Sequence, residues 1–429
     1  GTCAGQPVGL RYIHKRSGKD DVYFIANKDS VCRSAECVFR VTGKRPELWW
    51  PDTGRIESVA AFEEKDGRTQ LTLRLDPLAS VFVAFRQPVG SFDPVVALTR
   101  DGEALLPEPK TAANLTVQKA LYGLLDDPSA TRDVTAKVQA LFARGVFSFP
   151  VTEMAKGDDP AFGRVKTLKI DYTGNGQPLT VSNNDGQTVI ICPPAPPLSA
   201  RLRGGTDNAV TLEAWQPGHY ALKTVSGKTR SADVPAVPPP LTLTGAWDVA
   251  FPPGWGAPAR VTLPNLISWS DSTDNGVKYF SGTATYRKTF DVPSTLVGKN
   301  RRVCLDLGDV EVMAQVTLNG HAFETLWKKP YELDVTDAVK AGANTLDVKV
   351  VNLWINRLIG DEQLPDDSPR KKDGRTLDPW PDWLLAGKPS PTGRFTFTSH
   401  RLWKKNDPLV PSGLIGPVTV RVARLVEPE

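Results

Sequence analysis

The side chains best suited to chemistry on a polyhydroxylated ligand gather in the stretch 265–290. Trp269, Asp271, Asp274, Lys278 and Tyr279 fall close together, in a polar loop that runs straight into a strand-like run. Aromatic rings cover the apolar faces of a sugar, while carboxylates and an ammonium hold its hydroxyl edges. The structural alternative is a solvated loop with Trp269 tucked into the core. A second group, Asn356, Arg357 and Asp361, lies just past a strand end, and Trp380, Trp383 and Trp403 stand in or beside the Pro/Gly-rich loop that follows. There an Arg–Asp pair could hold vicinal hydroxyls, or the two could simply pair and fix the loop. At least two of these tryptophans are expected to anchor it.

Bond cleavage in a glycan needs two carboxylates facing each other across the sugar. Asp271, Asp274, Asp361 and Glu362 are loop carboxylates of the right type, but turn-forming and solvated roles are the more ordinary ones for such residues. No catalytic residue is therefore assigned. The four histidines sit in neither a nucleophile elbow nor a metal spacing. No Cys/His pattern resembles a zinc site, and no glycine-rich phosphate loop occurs. No metal ligand and no cofactor is assigned.

Strands must position these groups. From Thr283 to Phe290 the side chains alternate, with Ala284, Tyr286 and Phe290 on one face. Leu71, Leu73 and Leu75 alternate in the same way, as do Val303, Leu305 and Leu307, the run Val310, Val312, Ala314, Val316 and Leu318, then Leu346, Val348 and Val350, and finally Val418, Val420 and Val422. Ser17-Gly-Lys-Asp20 and Asn319-Gly320 read as hairpin turns. One short helix is expected near 133–141, with Thr135 as its N-cap and Gly145 beyond its end. Gly 35 and Pro 37 against Met 2 is a turn-rich balance. The fold class is all-β: several antiparallel β-sandwiches, the C-terminal one a jelly roll.

At 429 residues the chain needs more than one core. The proline runs at 193–197 and 234–240 punctuate it. Residues 1–90 form a β layer that 198–240 returns to complete, 91–197 an inserted β-rich module, and 241–429 the jelly roll. The net charge of +4 is small and spread along the chain, unlike a nucleic-acid-binding face. No apolar run approaches the roughly 20 residues of a membrane span. The start, Gly1-Thr-Cys-Ala-Gly, reads as a processed or cut end. The five cysteines cannot all pair internally; Cys32 and Cys37 could bridge a loop in an oxidising compartment, and Cys304 reads as a packed thiol.

Several motifs resemble a known pattern. Asp306-Leu-Gly308, Ala314-Gln-Val-Thr-Leu-Asn-Gly320, Trp327-Lys-Lys-Pro-Tyr331, Asp334-Val-Thr336 and Gly342-Ala-Asn-Thr-Leu346 resemble the sugar-binding, galactose-binding-like jelly roll of β-galactosidase-type glycoside hydrolases. Tyr279-Phe-Ser-Gly-Thr-Ala-Thr-Tyr286, Asn352-Leu-Trp-Ile-Asn-Arg-Leu-Ile-Gly-Asp361 and Ser412-Gly-Leu-Ile-Gly-Pro-Val418 look like the C-terminal end of α-L-rhamnosidases of glycoside hydrolase family 106. Asp21-Val-Tyr-Phe-Ile-Ala-Asn27 and Arg45-Pro-Glu-Leu-Trp49 look like that family's β-region. The resemblance covers the first and third segments well and the second poorly. It implies a (β/α)8 catalytic barrel placed ahead of these domains, with paired carboxylates and a calcium ion. This chain shows no strand–helix alternation long enough for such a barrel, so none of the family's catalytic positions carries over.

The expectation is the non-catalytic C-terminal part of a secreted or periplasmic α-L-rhamnosidase-like enzyme, bracing its barrel and contributing to binding of a rhamnose-containing glycan. Trp269, Asp271, Asp274, Lys278 and Tyr279, beside Asn356, Arg357 and Asp361, are the candidate sugar contacts. A structural calcium ion fits the resemblance; other cofactors do not. The alternatives are a free-standing carbohydrate-binding protein and a glycan-cleaving enzyme with its own site between the sandwiches.

Overall fold

The computed structural model describes residues 2–3, 6–7, 9–106, 115–174, 176–191, 195, 197–205 and 209–429. Strands take 46% of the chain and helix 9%, in antiparallel sheets. Four α-helices occur among the described residues: α1 (Thr135–Ala143), α2 (Asn275–Lys278), α3 (Ile355–Asp361) and α4 (Asp382–Leu385). The chain divides into two compact units, Gly1–Val237 with Arg424–Glu429, and Pro238–Ala423.

In the first unit, Arg11–Ser17, Asp20–Ala26, Ser80–Pro88 and Lys44–Trp49 are neighbours in one sheet, while Arg33–Phe39 pairs with Arg68–Leu75 in another. Ser17 pairs with Asp20 across a turn in which Gly18 has φ +60°. The period of two is obeyed: Leu71, Leu73 and Leu75 all point into the core, with Val81, Val83 and Phe85. Alternate inward side chains are what the pleat dictates. Cys37 also faces this core and forms no bridge to Cys32; burial pushes its thiol up to about 11. Cys3 and Cys192 have side chains outside the described residues.

Val95–Arg100 pairs with Gly218–Thr224, so the strand after residue 91 belongs to this first core. A separate core begins with Leu115–Gly123. It is closed by Thr167–Gly174, Val189 and α1, whose Val138 is fully buried. The helix cap differs from expectation. Thr135 is already helical, its backbone N–H is taken by Asp133 Oδ1 at 2.9 Å, and its hydroxyl oxygen instead accepts from Ala120 N at 2.9 Å. The cap position falls instead on Val134, which has no side-chain acceptor, so no side chain caps the helix. Gly145 follows the helix at φ +72°, as expected.

The second unit is a sandwich. One sheet runs in the order Arg260–Leu263, Trp247–Ala250, Thr283–Val292, Gly342–Val351, Met313–Leu318, His321–Ala322. Facing strands supply Val303, Leu305, Leu307, Leu414, Val418, Val420 and Val422 to the shared core. Asn319 and Gly320 both have positive φ, at 53° and 85°, and turn Leu318 back onto His321. The run read as one strand from Val310 to Leu318 is two: Asp309–Glu311 pairs with Gly413–Gly416, and Met313–Leu318 joins the larger sheet. The alternation survives on either side of the corner, where Val310, Ala314, Val316 and Leu318 face the core, while Val312 at the corner itself is only half-buried. Cys304 is fully buried, and burial pushes its thiol far up.

Candidate functional site

In the second unit three segments meet beside α3. The turn 254–257, the segment running through α2 to Tyr279, α3 itself and the stretch 394–397 all contribute. Small residues permit the approach. A Cβ on Gly276 would lie 2.1 Å from the carbonyl oxygen of Gly256, and one on Gly360 would lie 2.6 Å from Cβ of Tyr279. Both positions therefore need glycine.

Trp269 does not face this surface. Its indole is fully buried, 6.2 Å from Tyr286 in a stacked pair (interplanar 9°) and edge-on to Phe251 and Phe280. Its backbone N–H donates to Ser412 O at 2.9 Å, and Gly413 closes over the ring, where a Cβ would come within 2.8 Å. The expectation of a sugar-facing Trp269 is corrected: a ring of that size contributes most where it excludes water, and this one completes the core.

Asn356 is also spent. Its amide donates to Val410 O at 2.7 Å and accepts from Val410 N at 2.9 Å, and the residue is fully buried. This two-way clamp fixes the chain leading into Gly413–Gly416 and leaves no amide face for a ligand. Asp361 likewise works as a loop anchor. Its Oδ2 accepts from Phe395 N (3.0 Å), Thr396 N (2.7 Å) and Thr396 Oγ1 (2.7 Å), and its Oδ1 faces Arg357 Nε at 3.2 Å. The Arg357–Asp361 pair thus takes the loop-fixing role. Asp274 is exposed and caps α2, accepting from Val277 N at 3.0 Å. Asp271 is exposed in the preceding turn, Lys278 is half-buried with Nζ 5.9 Å from the Tyr279 ring, and Tyr279 is half-buried.

Arg357 is where these loops converge. Its side chain is 6% exposed, with Cζ 4.7 Å from the ring centre of Phe395 and 5.9 Å from that of Tyr279. Its backbone N–H donates to Ser281 Oγ. Burial draws its pKa down, and Asp361 opposes this. Around it stand aromatics that the sequence did not single out. Trp255 lies 6.4 Å from Phe395, nearly parallel, and 5.7 Å from Trp354. Trp354 is 53% exposed and Phe395 37% exposed. A Cβ on Gly256 would touch Phe395 Cζ at 3.0 Å and Arg357 Nη1 at 3.6 Å. Two half-open rings, a half-buried indole and a phenol framing a buried guanidinium form a surface that can stack on sugar faces and donate to their oxygens. Trp354 does lie within the quoted 352–361 motif, but Trp255 and Phe395 had no local signal.

Of the other loop tryptophans, Trp383 is an anchor, donating Nε1–H to Asp367 O at 2.9 Å, while Trp380 is 55% exposed against Phe397. Trp403 borders a crevice of ≈ 40 Å³ with Arg370, Arg394 and Arg401. Glu362 Oε1 ties Arg394 (3.0 Å) to Arg401 (3.1 Å) there. Among the described residues, no group of three or more His, Cys, Asp or Glu side chains could hold a metal ion. No residue here is therefore assigned to the calcium that the resemblance implied.

Sequence and structure comparisons agree with this architecture. Residues 2–64 match the family model of glycoside hydrolase family 106, α-L-rhamnosidase. Residues 269–378 match the galactose-binding domain-like model of glycosyl hydrolase 2. A solved rhamnosidase from Novosphingobium sp. PP1Y is similar over 97% of this chain and 24% of its own, with 26% identity and a TM-score of 0.52. A Formosa agariphila protein, provisionally named a beta-glucuronidase, is 33% identical over 501 aligned residues, which is 96% of this chain and 43% of that protein. The chain thus spans less than half the length of either relative. Its likeness is to the β-rich region of rhamnosidase-type glycoside hydrolases, with a galactose-binding-like domain inside it.

Proposed function

We propose that this chain is the non-catalytic β-region of an α-L-rhamnosidase-like glycoside hydrolase, bracing the catalytic barrel and holding a rhamnose-containing glycan. The observation that carries the glycan-holding role is the aromatic rim beside Arg357: exposed Trp354 and Phe395, joined by half-buried Trp255, with Phe395 against the guanidinium. Trp255 also packs on the core, and isolated exposed aromatics are ordinary, but two open rings joined through it beside a buried cation make a surface suited to a ligand. The family matches at 2–64 and 269–378 and the likeness to a solved rhamnosidase support the enzyme class. Lys278 and Tyr279 border this surface and remain proposed contacts, with Asp271 and Asp274 in the adjoining turn.

The test separates binding from turnover. The purified chain is titrated with rhamnose-containing oligosaccharides and incubated with aryl rhamnosides. Saturable binding with no released aglycone is the expected result. Release of sugar by this chain alone would instead make it an enzyme with its own site. The bracing role predicts that the chain raises the thermal stability of a separately expressed barrel region.

A further inference from the structure

The buried guanidinium of Arg357 is not fully used by the protein. Nε faces Asp361 Oδ1 at 3.2 Å, and the aromatic faces of Phe395 and Tyr279 flank Cζ. Neither Nη1 nor Nη2 has a hydrogen-bond acceptor among the described residues. A guanidinium has five N–H donors and no other use for them. Within a residue only 5% exposed, Nε is the buried atom without a hydrogen bond, so the four N–H groups of Nη1 and Nη2 form the end that solvent or a ligand can reach. Asp361 is moreover a divided partner, since its other oxygen takes three donors from Phe395 and Thr396. The nearby ammonium of Lys278 has no carboxylate partner among the described residues either. The outer donors of Arg357 and the ammonium of Lys278 are thus left without a protein acceptor among the described residues, although Asp271 and Asp274 stand in the adjoining turn.

We infer that this rim selects a glycan carrying an anionic group, a hexuronate carboxylate or a sulfate ester, whose oxygens sit on Nη1 and Nη2 of Arg357. The inference rests on the glycan-binding role proposed above and names its ligand class. With Nε turned toward Asp361 as an ion pair, the two Nη groups form the free end of the fork, spaced to meet two oxygens of one oxyanion. Phe395 and Tyr279 hold the guanidinium plane, so little side-chain entropy remains to be lost on binding. Trp354 and Trp255 then receive the sugar ring. A neutral glycan would gain the stacking but leave the donors meeting only hydroxyls.

The test uses the whole chain and calorimetric titration with four probes: a neutral rhamno-oligosaccharide, the same backbone bearing one hexuronate, the methyl ester of that hexuronate, and a sulfated counterpart. The expected result is at least tenfold tighter binding of the hexuronate or the sulfate than of the neutral form, with the methyl ester behaving as neutral. The preference should shrink as salt is raised. Comparison of acid with ester distinguishes charge from shape on the unaltered protein, so it does not depend on a variant folding. Arg357→Gln, checked for folding by its near-ultraviolet spectrum, should erase the preference, whereas Trp354→Ala should weaken all probes alike. The hexuronate and sulfate arms identify which oxyanion is taken. Equal affinity for the neutral, ester and acidic forms would overturn the inference and leave the glycan-binding role standing. Absence of binding by every probe would overturn both.

Discussion

Two tryptophan-centred clusters of the same sandwich differ in what they leave open. Trp269 lies among Phe251, Phe280 and Tyr286 with no exposed surface, sealed by Gly413. Trp354 lies against Trp255 and presents half of its ring to solvent. The first cluster is finished by the protein; the second is finished only by something else. Exposure of the ring, together with a cation whose Nη groups have no protein acceptor among the described residues, separates a core from a candidate site where residue type does not.

Substitutions can sharpen this contrast. The largest effect is expected from Trp269→Ala, which empties a fully packed position and should cost about 3–5 kcal/mol of stability by denaturant unfolding. A loss under about 1 kcal/mol would mean that the ring is not part of the core. Asn356→Ala removes a buried two-way clamp on Val410 and should cost about 2–3 kcal/mol, read in the same way. Trp354→Ala should behave oppositely: glycan affinity falls about tenfold, or about 1.4 kcal/mol, while the unfolding midpoint stays within error. The smallest effect is expected from Asp274→Ala, which removes the α2 cap and should lower stability by about 1 kcal/mol in thermal unfolding.

The sheets were legible because the period of two is a local property. Leu71, Leu73 and Leu75, or Val418, Val420 and Val422, declare their inward face without any knowledge of partners. The hairpins at Gly18 and Asn319-Gly320 were legible for the same reason. The corner between Glu311 and Met313 was not, since a chain that changes sheets can keep its alternation. The site was read only in part. Arg357 and Asp361 were singled out with two roles open to them, and the structure shows the mutual pairing that fixes the loop. Trp269 was misplaced because a polar loop sequence says nothing about which of its side chains turns inward. Asn356 was misread because its partner, Val410, stands 54 positions away. Trp255 and Phe395 were missed because only the fold brings positions so far apart together, Phe395 against the guanidinium and Trp255 against Phe395.

The claim on which the account turns is that the Trp255–Trp354–Phe395 rim is the glycan-holding surface. Titrating the whole chain and its Trp354→Ala variant side by side with one rhamnose-containing oligosaccharide, followed by calorimetry, tests it directly. Saturable binding that weakens about tenfold in the variant, at unchanged stability, is the predicted result. Binding of equal strength in both proteins would contradict the assignment.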